Sequence, residues 1–173
     1  MAQITLGGNP VNTIGNLPAV GTKIPEFKLV RTDLSVLTNE DIKGKNVVLS
    51  IFPSLGTGTC AAALRQFNIK AASMENTVVV CISKDLPFAQ AGFCAAEGIN
   101  NVIMGSAFRD GTFGKTFGVT FIDGKFEGLL SRAVIVTDSN GIVQYTEQVQ
   151  ETANEPDYDA AIKAVEAINA EVL

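Results

Sequence analysis

One cysteine, Cys60, occupies a position where thiol chemistry is favoured. It ends segment 52–60, which follows an apolar strand and precedes an alanine-rich helix. The first turn of a helix presents unpaired N–H groups and a partial positive charge, and both stabilise a thiolate. A cysteine placed there can have a pKa well below the ~8.5 of a free thiol, so it can be nucleophilic at neutral pH. The alternative is a small core residue, which is how a cysteine beside alanines usually packs.

Three further residues are candidates to support a reactive thiol. Thr57 can bring its hydroxyl near the sulfur, or it can simply cap the loop. Pro53 can shield a pocket without adding an N–H donor, or it can simply end the strand. Arg132 precedes an apolar run and stays protonated, so it can stabilise a thiolate, although periodicity alone favours a solvated arginine at a strand end. Together with Cys60 they form a much stronger signal than any one of them alone.

The other two cysteines give weaker signals. Cys94 lies on a predicted helix, far outside the C-x-x-C spacing of a dithiol oxidoreductase. Taken alone, it is as consistent with a small apolar helix residue as with a redox-active thiol. Cys81 lies in the middle of a predicted strand and is predicted to be inert core. Three cysteines at these spacings, with no histidine in the chain, match no common zinc site. No metal is therefore expected.

The composition limits the class of protein. The chain has 173 residues, 46% of them hydrophobic and 18% charged, which predicts a single domain spanning 1–173. A net charge of −5, without a basic block, argues against nucleic-acid binding. The sequence shows neither a signal-peptide pattern nor the ~18-residue apolar run of a membrane span. We therefore expect a cytoplasmic protein, in which a permanent structural disulfide would be unusual.

The elements around Cys60 predict how it is positioned. Asn46–Phe52 and Thr77–Ser83 are predicted buried strands, and a helical pattern that contains Leu64 and Phe67 lies between them. A strand, a helix and a strand of these lengths form a βαβ unit with parallel strands. Cys60 then lies at the carboxyl end of the first strand, where α/β sheets usually bind ligands.

The remaining elements complete an α/β fold with a mixed central sheet. Two short strands, Gln3–Leu6 and Val11–Ile14, predict an N-terminal hairpin. The other predicted strands span 27–31, 35–38, 101–104, 133–137 and 142–148, and the other predicted helices span 87–97, 112–117 and the segment that follows Pro156.

Several segments together resemble a known family. They are Phe52–Leu55 with Thr57 and Cys60, Ser83–Gln90 leading to Phe93 and Cys94, Ala95–Val102, and Glu155–Tyr158. These segments are similar to those of the bacterial thiol peroxidases, a subfamily of the atypical 2-Cys peroxiredoxins. The resemblance covers essentially the whole chain, and its motifs are specific to that subfamily.

The resemblance implies a fold and an activity. The fold would be thioredoxin-like with an N-terminal hairpin, with Cys60 as the peroxidatic and Cys94 as the resolving cysteine of an intramolecular disulfide. Thr57, Pro53 and Arg132 would support Cys60. The family is usually homodimeric, is reduced by thioredoxin, favours alkyl and lipid hydroperoxides over hydrogen peroxide, and needs no cofactor. The rival interpretation is a redox sensor that is oxidised once at Cys60 and recognised by a partner.

Three positions depart from the subfamily pattern. Gly56 stands where an aspartate is common, Thr59 where a valine is common, and Gly92 where an arginine is common. We expect Gly56 and Gly58 to loosen the loop before Cys60, and Gly92 to loosen the helix of Cys94. We also expect the first turn after Thr59 and the segment around Cys94 to unwind when a disulfide forms, because cysteines on separate helices exceed the ~7 Å span of a disulfide.

Overall fold

The computed structural model describes residues 1–172. Its strands and helices follow in chain order: β1 Gln3–Leu6, β2 Asn9–Asn12, β3 Lys28–Val30, β4 Val36–Thr38, a 3-10 helix Asn39–Ile42, β5 Asn46–Ile51, α1 Gly58–Ala71, β6 Thr77–Ser83, α2 Pro87–Glu97, β7 Ile103–Ser106, α3 Thr112–Thr116, β8 Ala133–Thr137, β9 Val143–Gln148 and α4 Tyr158–Val172. The predicted α/β class with a mixed central sheet and an N-terminal hairpin is confirmed. None of the helices in this part of the chain is long and apolar enough to cross a membrane.

Seven strands form the central sheet in the order β4-β3-β7-β6-β5-β8-β9. The pairs β5–β6 and β6–β7 are parallel and the other pairs are antiparallel. The predicted βαβ unit is therefore confirmed. The chain steps in the same direction from β5 to β6 and from β6 to β7, and such crossovers are right-handed, so α1 and α2 lie on the same face of the sheet.

Two hydrophobic clusters lie on the two faces of the sheet, and the alternation along β5 divides its side chains between them. Val48, and Phe52 directly after the end of the strand, pack on the face that carries α1, α2 and α4. Val47, Leu49 and Ile51 pack on the opposite face, which α3 covers. A third, smaller cluster lies beneath the N-terminal hairpin. Each strand thus has a defined register, which places the residues at the carboxyl end of β5 relative to their neighbours.

Several element boundaries differ from the predicted ones for identifiable reasons. Strand β2 begins at Asn9, because Pro10 is tolerated in a two-stranded hairpin and pairs with Thr5. Strand β7 begins at Ile103, later than predicted. Asn101 is drawn out of the strand because its backbone N–H donates to Asn68 Oδ1 at 2.8 Å. The 3-10 helix after β4 was not predicted.

Candidate active site

The segment between β5 and α1 ends in a side-chain cap on the first helical turn. Thr57 is the N-cap of α1, and its Oγ1 accepts a hydrogen bond from the Cys60 backbone N–H at 3.3 Å. The same hydroxyl donates to the carbonyl oxygen of Ser54 at 3.2 Å. The capping interpretation of Thr57 is therefore confirmed, and the group that it caps is the peptide of Cys60 itself.

Cys60 lies in the first turn of α1 and has no exposed surface. Its side chain belongs to the cluster on the α1 face, together with Phe52, Leu64 and Phe67. Pro53, which leads into the capped segment, is also buried and brings no N–H group. The sulfur is thus held in an apolar environment at the positive end of a helix.

Arg132 lies on the same face of the sheet as Cys60. Ile51 of β5 pairs with Ala133 of β8, so Arg132, one residue before Ala133, lies opposite Phe52 at the carboxyl end of β5. Side chains alternate along a strand, so Arg132 points to the same face as Val134, which belongs to the hydrophobic cluster on the face that carries α1. Its side chain is only 3% exposed, so the interpretation as a solvated strand-end arginine is wrong.

The guanidinium of Arg132 has hydrogen-bonding capacity left over. Its Nε donates to the carbonyl oxygen of Thr152 at 3.0 Å. Its Nη1 is buried and has no hydrogen-bond acceptor within residues 1–172. A buried donor without a partner is costly, and the guanidinium stays protonated. This nitrogen can therefore donate to a negatively charged sulfur or oxygen atom that enters the site.

The segment that orients Arg132 is itself tied to α1 and to the N-terminal hairpin. Thr59 Oγ1 donates to the Ala153 carbonyl oxygen at 2.9 Å, a bond that a valine at this position could not make. The Glu151 carboxylate accepts backbone N–H groups from Ala153 and from the turn of the hairpin. These bonds, the one from Ala153 foremost, lower the pKa of Glu151 to about 2. Segment 151–153 thus joins three parts of the structure beside Cys60.

An anchor that the sequence analysis did not identify holds the other side of the segment before Cys60. The Asp85 carboxylate accepts hydrogen bonds from Ser54 Oγ at 2.8 Å, from the Leu55 N–H at 2.8 Å and from Ser83 Oγ at 2.7 Å. Asp85 belongs to the segment Ser83–Gln90, which carried part of the resemblance. The contacts of Asp85 with Ser54 and Leu55 could not be predicted from the sequence, because they join residues about 30 positions apart in the chain.

Cys94 and Cys81 lie in the same cluster as Cys60. Cys94 is half-buried on α2, and burial raises the pKa of its thiol. Cys81 is fully buried in β6, and burial, together with the nearby Cys94, raises the pKa of its thiol as well. The core position predicted for Cys81 is confirmed, while its inertness stays a prediction.

The three thiols are free, and the helices explain why Cys60 and Cys94 are not paired. Both helices follow a parallel strand on the same face of the sheet, so they run in the same direction. Cys60 lies in the first turn of its helix and Cys94 in the last turn of α2. Cys60 is the third residue of its helix and Cys94 the eighth of α2, a difference of five residues that corresponds to about 8 Å of helical rise when each is measured from the start of its own helix. A disulfide spans ~7 Å, so we expect the helices to unwind before the two cysteines pair.

The three glycines near the cysteines are not required by close packing. A Cβ atom at Gly58 or Gly92 would meet no atom within 4 Å, and one at Gly56 would meet only Ser54 Oγ at 3.5 Å. Gly92 nevertheless lies within the continuous helix α2. In residues 1–172 no group of three or more cysteine and carboxylate side chains is placed to hold a metal ion.

Comparisons with known proteins identify the family of the chain. Residues 19–162 match the Redoxin family. The chain is 53% identical over 167 residues to the thiol peroxidase of Mycobacterium tuberculosis, covering 96% of this chain and 100% of that protein. It is 52% identical over 165 residues to the thiol peroxidase of Corynebacterium glutamicum, covering 95% and 99%.

A solved structure supports the same assignment. The crystal structure of a peroxiredoxin-like protein from Aquifex aeolicus aligns with a TM-score of 0.91 and 36% sequence identity, over 97% of this chain and 98% of that chain. The expected thioredoxin-like fold is thereby confirmed. The chain belongs to the bacterial thiol peroxidases, the thiol-dependent peroxidases of the peroxiredoxin type.

Proposed function

We propose that the chain, as a single domain, reduces hydroperoxides in a two-electron cycle that begins at Cys60. The observation that carries the proposal is the position of this thiol in the first turn of α1, on the sheet face where the buried Arg132 keeps Nη1 free of protein acceptors. The helix N-terminus and the guanidinium bring hydrogen-bond donors and positive charge to this face of the sheet, and neither needs a histidine. No metal or organic cofactor takes part in the cycle.

In the first step the Cys60 thiolate attacks one oxygen of the hydroperoxide. The S–O bond forms as the O–O bond breaks, and the electron pair of that bond goes to the departing oxygen. That oxygen takes up a proton and leaves as an alcohol, or as water when the substrate is hydrogen peroxide. Arg132 stabilises the negative charge that develops on it, while Thr57 and Pro53 keep the first turn and its surroundings in place. Cys60 becomes a sulfenic acid.

In the second step the Cys94 thiol condenses with the sulfenic acid, so that a Cys60–Cys94 disulfide forms and water leaves. The axial offset of the two cysteines supports unwinding around both of them before this bond can form. Unwinding has a second effect, because burial raises the pKa of Cys94 in the folded helix. Exposure to water removes that penalty and increases the fraction of Cys94 present as the attacking thiolate.

The cycle closes when a dithiol reductant of the thioredoxin type returns two electrons to the disulfide. We propose thioredoxin as that partner in the cytoplasm, where such reductants are kept reduced, and a homodimer as the working form. The exposed side chains of Leu86 and Phe88, 51% and 68% accessible at the start of α2, support an apolar docking surface close to the site. The apolar surroundings of Cys60 support alkyl and lipid hydroperoxides as preferred substrates.

The proposal is tested by NADPH oxidation coupled through thioredoxin reductase and thioredoxin, with cumene hydroperoxide as the substrate. Wild type should turn over steadily, and Cys60→Ser should not turn over at all. Cys94→Ser should consume about one equivalent of peroxide and then stall as a sulfenic acid or mixed disulfide. Retained turnover in Cys60→Ser would refute the role of Cys60. One equivalent consumed by wild type without turnover would indicate a sensor in place of a peroxidase cycle.

A further inference from the structure

We propose that Asp85 is a positioning residue for the reaction of Cys60 with peroxide: its carboxylate holds segment 53–57 in the arrangement that presents the thiol. This inference rests on the proposed function, because it assigns a role within the step that begins at Cys60. Asp85 contacts neither the thiol nor the guanidinium of Arg132 through any hydrogen bond in residues 1–172, so it acts through the segment.

A continuous series of hydrogen bonds runs from Asp85 to the peptide of Cys60. Ser54 Oγ donates to Asp85 Oδ1, and the Leu55 N–H donates to Asp85 Oδ2, each at 2.8 Å. The Ser54 carbonyl oxygen in turn accepts the Thr57 N–H and the Thr57 hydroxyl, both at 3.2 Å. Thr57 Oγ1 then accepts the Cys60 N–H at 3.3 Å. A shift of Ser54 therefore moves the cap of the helical turn that carries the thiol.

Asp85 is well placed to resist such a shift because it is itself held from several directions. Ser83 Oγ donates to its carboxylate at 2.7 Å, and Ser106 Oγ donates to its backbone oxygen at 2.5 Å. The side chain of Gln90, which has no exposed surface, donates to Ser83 Oγ at 3.2 Å. These partners lie on β6, β7 and α2, so the carboxylate is fixed to the sheet and to the helix that carries Cys94.

The segment needs an external anchor because its own sequence supplies little rigidity. Gly56 and Gly58 are exposed, a Cβ atom at either position would meet no atom closer than 3.5 Å, and glycine has the widest backbone freedom of any residue. The bonds to Asp85 fix Ser54 and Leu55 immediately before these glycines. Without the carboxylate, the Leu55 N–H and the Ser54 hydroxyl lose their common acceptor, and segment 53–57 can shift relative to the first turn of α1.

The chain offers a matched control for the loss of such a carboxylate. Asp138 likewise accepts three hydrogen bonds, two of them from the backbone N–H groups of Asn140 and Ile142 and one from the side chain of Gln144. It follows β8, whose last residue, Thr137, pairs with Val47 near the start of β5. Asp138 therefore anchors a turn at the opposite end of the strands from Cys60.

The experiment compares two reactions of Cys60 in the fully reduced protein. One is its oxidation by a stoichiometric pulse of cumene hydroperoxide, and the other is its alkylation by iodoacetamide, both quantified on the Cys60 peptide by mass spectrometry. Alkylation reports the reactivity and accessibility of the thiol, whereas peroxide reduction also requires the shaped site. A positioning role changes the ratio of the two rates, which a general loss of stability does not.

Asp85→Ala should lower the rate of peroxide oxidation by about 10- to 100-fold, since a displacement of ~1 Å can cost that much. Its alkylation rate should stay equal to that of wild type or rise. Asp85→Asn, which keeps one acceptor oxygen for the Leu55 N–H, should lie between Asp85→Ala and wild type. Asp138→Ala should keep both rates within about 2-fold of wild type, as expected for a site remote from the thiol.

Three results would overturn the inference: a peroxide rate in Asp85→Ala within 2-fold of wild type, a parallel fall of both rates, or an equal loss in Asp138→Ala. Should Asp85→Ala fail to fold, Asp85→Asn and Ser54→Ala decide by the same rate ratio. Wild-type Cys60 that resists cumene hydroperoxide would overturn the proposed function together with this inference. If wild-type Cys60 is oxidised normally and the Asp85 variants are oxidised at the same rate, the inference alone would be overturned.

Discussion

Replacing Gly92 by alanine tests whether helix α2 unwinds during each catalytic cycle. Gly92 lies inside α2, one residue before Phe93 and two before Cys94, and its backbone faces solvent. A Cβ atom at this position meets nothing within 4 Å, so the added methyl group brings no steric cost. The substitution therefore changes the stability of the helix and leaves the packing of its neighbours unchanged.

The expected magnitude follows from helix propensity. Alanine is favoured over glycine in a helix interior by about 1 kcal/mol. If the disulfide forms only after this turn of α2 has unwound, the same ~1 kcal/mol adds to the barrier, and disulfide formation slows about 5-fold. The global stability rises by the same amount, which corresponds to an increase of about 2–4 °C in Tm for a domain of this size. The rate of peroxide attack at Cys60 should not change.

The assay separates the two steps chemically, because the chain has no tryptophan to report them by fluorescence. Reduced protein is mixed with one equivalent of cumene hydroperoxide, quenched at increasing times and alkylated. Mass spectrometry then measures the sulfenic acid at Cys60 and the Cys60–Cys94 disulfide separately. Ala167→Gly is the control, since Ala167 is exposed on α4, which carries no cysteine, and the variant should lower Tm without changing either rate. A raised Tm in Gly92→Ala with an unchanged rate of disulfide formation would refute unwinding at this turn.

Three further perturbations test the surroundings of the site. Thr59→Val removes the hydrogen bond to the Ala153 carbonyl oxygen, which is worth about 0.5–1.5 kcal/mol, so the first turn of α1 should open more readily. Disulfide formation, measured by the same quench, should then accelerate about 2- to 10-fold. An unchanged rate would show that this bond does not limit opening. Cys81→Ser should retain turnover in the coupled assay, with its cost confined to Tm, because Cys81 is fully buried and its thiol pKa is raised. The folded protein lowers the pKa of Glu151 from 4.5 to about 2, so Glu151 stabilises the fold above pH 4.5 and loses that contribution as the pH falls towards 2. Urea unfolding should therefore show a difference between wild type and Glu151→Gln that shrinks over this range, and a constant difference would contradict the sign.

Local patterns were enough to predict the central βαβ unit. The apolar runs of β5 and β6 and the helical spacing of Leu64 and Phe67 are determined within short windows, so their positions agree with the structure. The start of β7 could not be predicted in the same way. It depends on a side chain of α1, Asn68, which binds the backbone of Asn101 across the fold.

In the candidate site, too, features set by short sequence spacings were predictable and features set by long-range contacts were not. Cys60 and its cap Thr57 are three residues apart, so their helical geometry follows from the sequence alone. The burial of Arg132 depends on the antiparallel register of β5 and β8, and its periodicity alone favoured the wrong interpretation. The contacts of Asp85 join the ends of two parallel strands, which become neighbours only when the sheet forms.

The sequence by itself therefore determined that Cys60 lies in the first turn of a helix capped by Thr57, and it identified the family to which the chain belongs. These depend on residue types and on spacings of a few positions, over which the backbone geometry is nearly constant. Only the tertiary structure decided that Arg132 is buried on the thiol's side of the sheet, that Asp85 anchors the segment before Cys60, and that Cys94 is offset from Cys60. Those relations are set by strand register and crossover handedness, which bring distant residues together after the sheet has assembled.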